Sequence, residues 1–325
     1  MQHTSKHMNL ANLVKLDNLD RIIETVKDPT LISFIASLAV SPLNIVSPTV
    51  EKFTAMIERD IPVSISSCPQ AGATAPLSEI GELLQVNAEV LSAVVLANLI
   101  RPGANVLYRG IPISSDLFTD GSPRWCQPES IRRVAMAADM AYFYQIPCCG
   151  TAAVSDQKQP NIQALAEKTL SWIFEAASGA QFINSAAGML EQVLTVSPEQ
   201  YIIDDWAIGL VKKRLESPDY YIKELAQTGV RDVLALFGVD MTEAMETDIN
   251  DRIEFITTEK EEYSKESVDK QVEMITKAVN SPSSSTKFMK AARSGLRKGW
   301  LYKADPIPGE LDLTEVVKTR KQILG

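Results

Sequence analysis

The sequence predicts an α/β protein built from parallel strand–helix units, and three observations predict it. Between about Leu31 and Gly188, short apolar runs alternate with longer segments of helical period. The short runs lack clean polar alternation, as expected for strands covered on both faces. The longer segments open near proline and close near glycine, the usual asymmetry of helices.

The strand runs are Leu31–Ala39, Ile61–Ser67, Ala104–Gly110, Ile146–Val154 and Ala180–Ala186, with Met1–Asn9 as a possible sixth. The helices between them begin with Pro48–Arg59, which carries Val50, Phe53 and Ile57 at helical spacing. Leu77–Ile100 follows Pro76 and Ser78 and stops at Arg101-Pro102-Gly103. Glu129–Gln145 follows Pro128, and Asn161–Ser178 follows Pro160 and ends before Gly179. Strand and helix alternating in this way give parallel βαβ units, in an open doubly wound sheet or in a (β/α)8 barrel. No G-x-G-x-x-G follows any strand, which weakens the dinucleotide-binding version of the open sheet. Five or six strands fall short of the eight of a complete barrel.

After Gly188 the pattern changes. Pro198–Leu215 reads as a helix with acidic Glu199 in its first turn and Lys212, Lys213 and Arg214 in its last, matching the helix dipole. From Glu216 onward the chain is helical and charge-laced. Thr257–Lys270 is a solvated face or linker, Asn280–Thr286 a loop, and Met289–Tyr302 a short basic helix. A boundary near Gly238 divides a strand–helix portion, residues 1–238, from a charged helical extension, residues 239–325.

Composition narrows the function. The 325 residues are 45% hydrophobic and 22% charged, enough for a substantial core. A net charge of -9 argues against nucleic-acid phosphates and anionic membrane surfaces as partners. The beginning of the sequence lacks the pattern of a secretory signal, and Val90–Ile100, the longest apolar run, is about half a membrane span. A cytoplasmic protein is expected. Cys68, Cys126, Cys148 and Cys149 have no metal-ligand spacing, and vicinal Cys148 and Cys149 are poor disulfide partners, so reduced thiols are expected. Only His3 and His7 occur, which leaves a Ser/His mechanism or a His-ligated metal hard to build.

In parallel α/β proteins the loops after the strands form the site. That selects Ser66–Pro76, Tyr108–Asp120, Gly150–Pro160 and Asn184–Gln192. In the first, small residues allow close backbone approach, and Gln70 and Thr74 offer neutral hydrogen-bonding groups. A tight strand-to-helix turn without a ligand is the plainer reading.

Several blocks carry a resemblance. They are Pro69-Gln70-Ala71-Gly72-Ala73-Thr74-Ala75-Pro76, Gln85-Val86-Asn87-Ala88-Glu89-Val90 and Arg101-Pro102-Gly103. Ser155-Asp156-Gln157-Lys158, Glu167-Lys168, Ala186-Ala187-Gly188-Met189-Leu190-Glu191 and Ile203-Asp204-Asp205 follow in order. From about Phe34 to Lys213 the chain resembles the trimethylamine:corrinoid methyltransferase family. The resemblance implies part of a (β/α)8 barrel, shortened at its N-terminal side, whose open end receives a methylated amine and a corrinoid carried by a separate protein. It implies methyl transfer to reduced cobalt. Trimethylamine-specific members carry pyrrolysine, which this sequence lacks, so a quaternary amine such as glycine betaine is the expected substrate class.

A quaternary ammonium leaves as a neutral tertiary amine, so neither a proton donor nor a protein-bound metal is needed. The task is positioning and charge complementarity. Gln70, Asp156 and Glu191 are the expected catalytic groups, with Thr74, Tyr108, Phe118, Trp125 and Asn184 lining the substrate. Aromatic faces hold trimethylammonium groups, although ordinary packing is the simpler role for those three rings. Asp156 and Glu191 would balance a cation, or else cap helices or pair with lysines. Arg109 would pair with a betaine carboxylate, a surface salt bridge being its duller role. Two alternatives stand beside this reading. One is a non-catalytic fragment or paralogue that binds a partner, its unpaired strand edges favouring a homo-oligomer. The other is a barrel lyase or aldolase with Lys158, the one lysine near a strand end, as its nucleophile.

Overall fold

The computed structural model describes residues 8–10, 12–13, 15–26, 28, 31–117, 120–216 and 222–257. Strands β1 (Met8–Leu10), β2 (Ile32–Ala36), β3 (Val63–Ser67) and β4 (Val106–Gly110) pair in parallel and in chain order. Strands β5 (Cys149–Thr151) and β6 (Phe182–Asn184) form a parallel pair. A parallel bridge from Tyr108 to Cys148 ties β5 to β4, and Tyr108 N–H donates to the Pro147 carbonyl at 2.8 Å. Six strands therefore follow one another in space as they do in sequence. An open doubly wound sheet reverses its order at a switch point, and this one does not.

A helix follows each strand: α1 (Asn18–Val26), α2 (Ser47–Glu58), α3 (Glu79–Ile100), α4 (Pro128–Phe143), α5 (Ile162–Ala177) and α6 (Pro198–Leu215). Helices α7 (Ile222–Leu236) and α8 (Glu243–Thr257) come after them. The helix starts are chemically determined. Ser78, Asn161 and Ser197 accept hydrogen bonds from the backbone of Gly81, Ala164 and Gln200, capping α3, α5 and α6. Proline begins α4 and α6, where a missing N–H costs nothing.

The α/β class with parallel strands is as the sequence predicts. No closed barrel forms among the described residues; β1 and β6 are not paired with each other. The sheet is nevertheless strongly curled. Asn9 on β1 donates to Ser64 Oγ on β3 at 3.1 Å and reaches Cys149 Sγ on β5 at 3.2 Å. Four interstrand spacings of a flat sheet would separate β1 from β5 by about 19 Å.

Register fixes two faces. Ile32, Phe34, Val63, Ile65, Tyr108 and Cys148 face outward into a core with Phe53 and Met56 of α2, Val86 and Val90 of α3, and Ala137 and Ala141 of α4. The inward face alternates with it and is polar: Asn9, Ser33, Ser64, Ser66, Arg109, Thr151 and Asn184. A second core joins α5 to α8 through Leu165, Ile173, Ile203, Val230, Val233, Ile249 and Ile253.

Helix α3 is 22 residues and, by length and composition, apolar enough to cross a membrane, which the shorter Val90–Ile100 window missed. It packs against β3, β4, α2 and α4, as a core helix does. The expected boundary at Gly238 falls between α7 and α8. Helix α8 packs back on α4 and α7, burying Met245, Ile249, Ile253 and Ile256, and Arg132 of α4 donates to the Phe255 carbonyl at 2.8 Å. The remainder of the 239–325 extension, with its expected linker, loop and basic helix, lies outside the described residues.

Candidate functional site

The polar inner face culminates at the strand C-termini in Arg109. Its Nη1 donates to Ser66 Oγ on β3 and its Nη2 to Thr151 Oγ1 on β5, both at 2.7 Å. The residue is 7% exposed, and its Nε has no hydrogen-bond partner among the described residues. No carboxylate among them stands at ion-pair distance either. The surface salt bridge is thus replaced by a buried guanidinium on neutral hydroxyls, because the curl of the sheet brings β4 inside. Asn184 shares this face, in register with Thr151, and its Oδ1 accepts from Ser185 N–H at 2.7 Å.

Glu175 of α5 is the nearby acid. Its carboxylate lies against Gly150, where an added Cβ would meet Oε1 at 1.6 Å, so a side chain there would have to push the carboxylate aside. Burial pushes its pKa up to about 8 against the pull of Arg109. Near neutral pH it is mostly uncharged and does little to balance the arginine.

The loops after β5 and β6 are anchored from behind. Lys168 of α5 and Asp204 of α6 are fully buried, with Nζ 3.1 Å from Oδ2. Lys168 also donates to the carbonyls of Ala153 at 2.5 Å and Met189 at 3.0 Å, and Asp204 accepts from Gly188 N–H and Gln200 Nε2, each at 2.7 Å. One buried pair thus grips both strand-end loops. Those loops hold residues in the left-handed region: Ala153 (φ 61°), Ser185 (57°) and the consecutive Glu191 (47°), Gln192 (58°) and Val193 (70°). Non-glycine residues persist there only where their surroundings impose it, commonly at functional sites. At the end of β3, Glu89 of α3 plays a similar part, accepting from Ser67 Oγ, Ser41 Oγ (2.8 Å), Leu43 N–H (2.9 Å) and Gln85 Nε2 (3.1 Å).

The expected site residues fall into separate groups. Gln70 and Thr74 close one turn: Thr74 Oγ1 accepts from Gln70 N–H at 2.9 Å, and Gln70 Nε2 donates to the Gly121 carbonyl at 2.8 Å. Asp156 and Trp125 meet, Asp156 Oδ1 accepting from Trp125 N–H at 2.9 Å. Burial, then the neighbouring Glu167, pushes Asp156 up to about 8, so it is mostly a neutral acid near neutral pH. Its Oδ2 and Trp125 Nε1 are buried without partners among the described residues. Glu191 adjoins the Asp156 loop, its N–H donating to the Gln157 carbonyl at 2.8 Å. Its carboxylate accepts from Thr195 Oγ1 at 2.7 Å and lies 3.7 Å from Lys158 Nζ.

Tyr108 is corrected: it is fully buried on the outward face, its hydroxyl 3.3 Å from Asn87 Oδ1, because the strand turns it toward α3. Phe118 lies outside the described residues. Lys158 is 83% exposed, which removes the burial a lyase nucleophile needs. The sequence reading missed Glu175, the buried face of Lys168 and Asp204, and Glu89; the last three sit inside the blocks that carried the resemblance.

All four cysteines are free, and burial pushes Cys148 up to about 12. Among the described residues no three His, Cys, Asp or Glu side chains converge as metal ligands.

Parallel strand–helix units in chain order, a polar inner sheet face and loops clamped at the strand C-termini define the class of parallel α/β proteins whose loops gather at the strand ends. The family model described as trimethylamine methyltransferase (MTTB) matches residues 4–247. The chain belongs to the trimethylamine methyltransferase family. It is 40% identical over 156 residues to the trimethylamine methyltransferase MttB of Methanosarcina thermophila, covering 48% of this chain and 32% of that protein. It is 32% identical over 183 residues to the glycine betaine methyltransferase of Desulfitobacterium hafniense (strain Y51), covering 56% of this chain and 38% of that protein. A trimethylamine methyltransferase MttB of Desulfitobacterium hafniense (strain DSM 10664 / DCB-2) is 34% identical over 173 residues, 53% of this chain and 34% of that protein. The match thus spans about a third of the length of these relatives.

Proposed function

We propose that this chain forms part of a cytoplasmic (β/α)8-barrel methyltransferase that moves a methyl group from a methylated, quaternary amine to the cobalt of a corrinoid held by a separate carrier protein. The observation that carries this reading is the family match over residues 4–247, which takes in all six strands and their helices. Relatives named for trimethylamine and for glycine betaine support a methylated amine as donor.

The residues present suit such an acceptor. Cobalt held by its own protein asks for no ligand here, only for an approachable strand-end face. Val40, Ile45, Val193, Leu194 and Val196 stand exposed on the short hairpins that follow β2 and β6, an apolar rim suited to a docking partner. The corrinoid, when bound on its carrier, supplies the reduced metal that takes the methyl group.

What this chain contributes is position and dryness. The inner hydroxyls of Ser64, Ser66 and Thr151 and the Asn9 amide offer fixed dipoles in place of water. The Lys168–Asp204 clamp holds the two loops that would face the donor. Because a quaternary amine departs uncharged, no residue must deliver a proton, and a mostly neutral Asp156 is compatible with that. The test is methyl transfer from a panel of methylated amines to reduced cobalamin, followed by the cobalt absorbance. Methylcobalamin formation is expected. A folded, monodisperse protein that transfers from no donor overturns the reading in favour of a partner-binding role.

A further inference from the structure

We propose that the outer face of α3 is a twofold interface, on which a second copy of this chain packs its own α3 antiparallel to the first. The proposal stands apart from the methyltransferase reading and uses no residue of the strand-end face.

The argument begins with composition. Glu89 is the one charged residue between Leu83 and Ile100, and it is buried against the end of β3. The six exposed residues of that stretch are Leu84, Ala88, Ser92, Val95, Asn98 and Leu99, none of them charged. The outer face of a helix that covers a sheet is ordinarily polar. Here Val95 is 59% exposed and Leu99 77%, and only 39% of the helix's most apolar window is buried. Helix α4 extends this surface. Asn87 Nδ2 donates to the Tyr144 hydroxyl at 3.0 Å, and the Tyr144 ring stands 5.1 Å from that of Phe143, edge to face. Phe143 is 73% exposed and its neighbour Tyr142 85%. At roughly 200 Å² for a large side chain, the three rings with Leu84, Val95 and Leu99 leave on the order of 700 Å² uncovered. That approaches what one partner gives a standard interface, and exceeds the apolar patch of an ordinary monomer.

Spacing identifies the occupant. Leu84, Ala88, Leu91 and Val95 recur at intervals of four, three and four, the seam of two packed helices. The stripe also matches itself when reversed. About an axis between Leu91 and Ser92, Leu84 of one copy meets Leu99 of the other, and Ala88 meets Val95. Large then faces large at the ends, and small faces branched near the middle, as an isologous contact requires. Antiparallel packing sets opposite ends of the two helix dipoles side by side. A charged partner would bury its charges here without counterparts. An anionic membrane surface would repel a chain of net charge -9. A copy of the same uncharged face brings neither cost.

The experiment is sedimentation equilibrium of the whole chain and of two single variants, Ala88→Glu and Val95→Lys, whose positions face each other across the axis. At about 10 µM, above the Kd expected of a standard-size interface, wild type is expected to be dimeric. Each variant alone is expected to raise the dimer Kd at least hundredfold, with an unchanged far-UV circular dichroism spectrum, because both positions are exposed in the single copy. An equimolar mixture of the two is expected to regain dimers, since the introduced acid and base then meet at one contact and the other is wild type. A wild type that stays monomeric overturns the proposal, and one that floats as a monomer with phosphatidylcholine vesicles overturns it in favour of lipid. Dimers that persist in both variants overturn it by placing the interface elsewhere. Dimers lost in both and not regained on mixing overturn it too, because the two positions then do not meet. Should either variant fail to fold, Leu99→Asp at the exposed end of the helix decides: loss of dimers supports the interface, and their persistence overturns it.

Discussion

Lys168 and Asp204 form an ion pair from which water is wholly excluded, and the same two side chains hold the backbone of both strand-end loops, at Ala153, Gly188 and Met189. A buried pair of this kind is weak evidence for stability in itself, since desolvation offsets much of the attraction. Removing one partner is a different matter, because the other is left charged and dry. Lys168→Met is expected to cost about 3–5 kcal/mol in urea unfolding, and Asp204→Leu a similar amount. The double variant should cost clearly less than the sum. Hydrogen exchange of residues 186–196 should rise in every case, even where the protein stays folded, because the loop loses its anchor. A strictly additive cycle would show that the pair is not coupled.

Gly150 leaves room for the Glu175 carboxylate that lies against it. Its backbone does not need a left-handed φ, so the constraint is steric: a methyl group would fall on Glu175 Oε1. Gly150→Ala is expected to destabilise by about 1–3 kcal/mol, the range for overpacking a filled interior. Glu175→Ala in the same chain removes the obstruction, so the double variant should recover most of the loss. Thermal unfolding of the three variants checks this; no recovery would place the strain elsewhere.

The raised carboxyls make stability depend on pH in an unusual direction. Burial lifts Glu82, Asp156 and Glu175 to about 8 from 4.5, 3.8 and 4.5. The folded form therefore binds these protons more tightly than the unfolded form. Their favourable contribution is complete below about pH 4 and is lost as pH rises through about 8. Urea midpoints should fall between pH 6 and pH 8 and level off above 9. Glu175→Gln carries no proton to lose, so its decline should be shallower and its advantage over wild type largest at pH 9. Parallel curves for the two proteins would show that Glu175 is ionised in the fold.

Helices and the alternation of strand with helix were largely legible because they depend on local signals: proline entries, serine and asparagine caps, and a period that switches between strand and helix. Helix α6 runs over the expected residues, Pro198–Leu215. The inner face was less legible. In Val63-Ser64-Ile65-Ser66 the hydroxyls alternate with apolar residues, a period-two signal submerged by serine's neutrality on hydropathy scales. Tyr108 was misplaced for a related reason. A place at a strand end does not settle which face a side chain takes: the pleat sends Tyr108 outward and Arg109 inward. Lys168 and Asp204 lie on helices, where charge usually means a solvated face; only the meeting of two helices with two loops makes them interior. Such long-range contacts have no local signature.

The curl of the sheet is open to a direct chemical test. Asn9 and Cys149 are separated by 140 positions in sequence and by three intervening strands, yet Nδ2 and Sγ stand 3.2 Å apart. Ser33 Oγ also donates to Asn9 Oδ1 at 3.1 Å, so Asn9 is fixed at both ends of its amide. With Cys148→Ser to remove the thiol next in sequence, Asn9→Cys should be linked to Cys149 by oxidation or by a short bifunctional thiol reagent. Mass spectrometry of the digested protein would identify the joined peptides. A flat sheet would hold these positions about 19 Å apart, beyond the reach of either linkage. Cross-linking in the folded protein and none in urea would establish an arc in which β1 faces β5 across a shared polar interior. Absence of the cross-link, with both thiols reactive, would mean that the strands lie in an open sheet. The inner hydroxyls would then form a solvent-facing surface rather than the lining of a pocket.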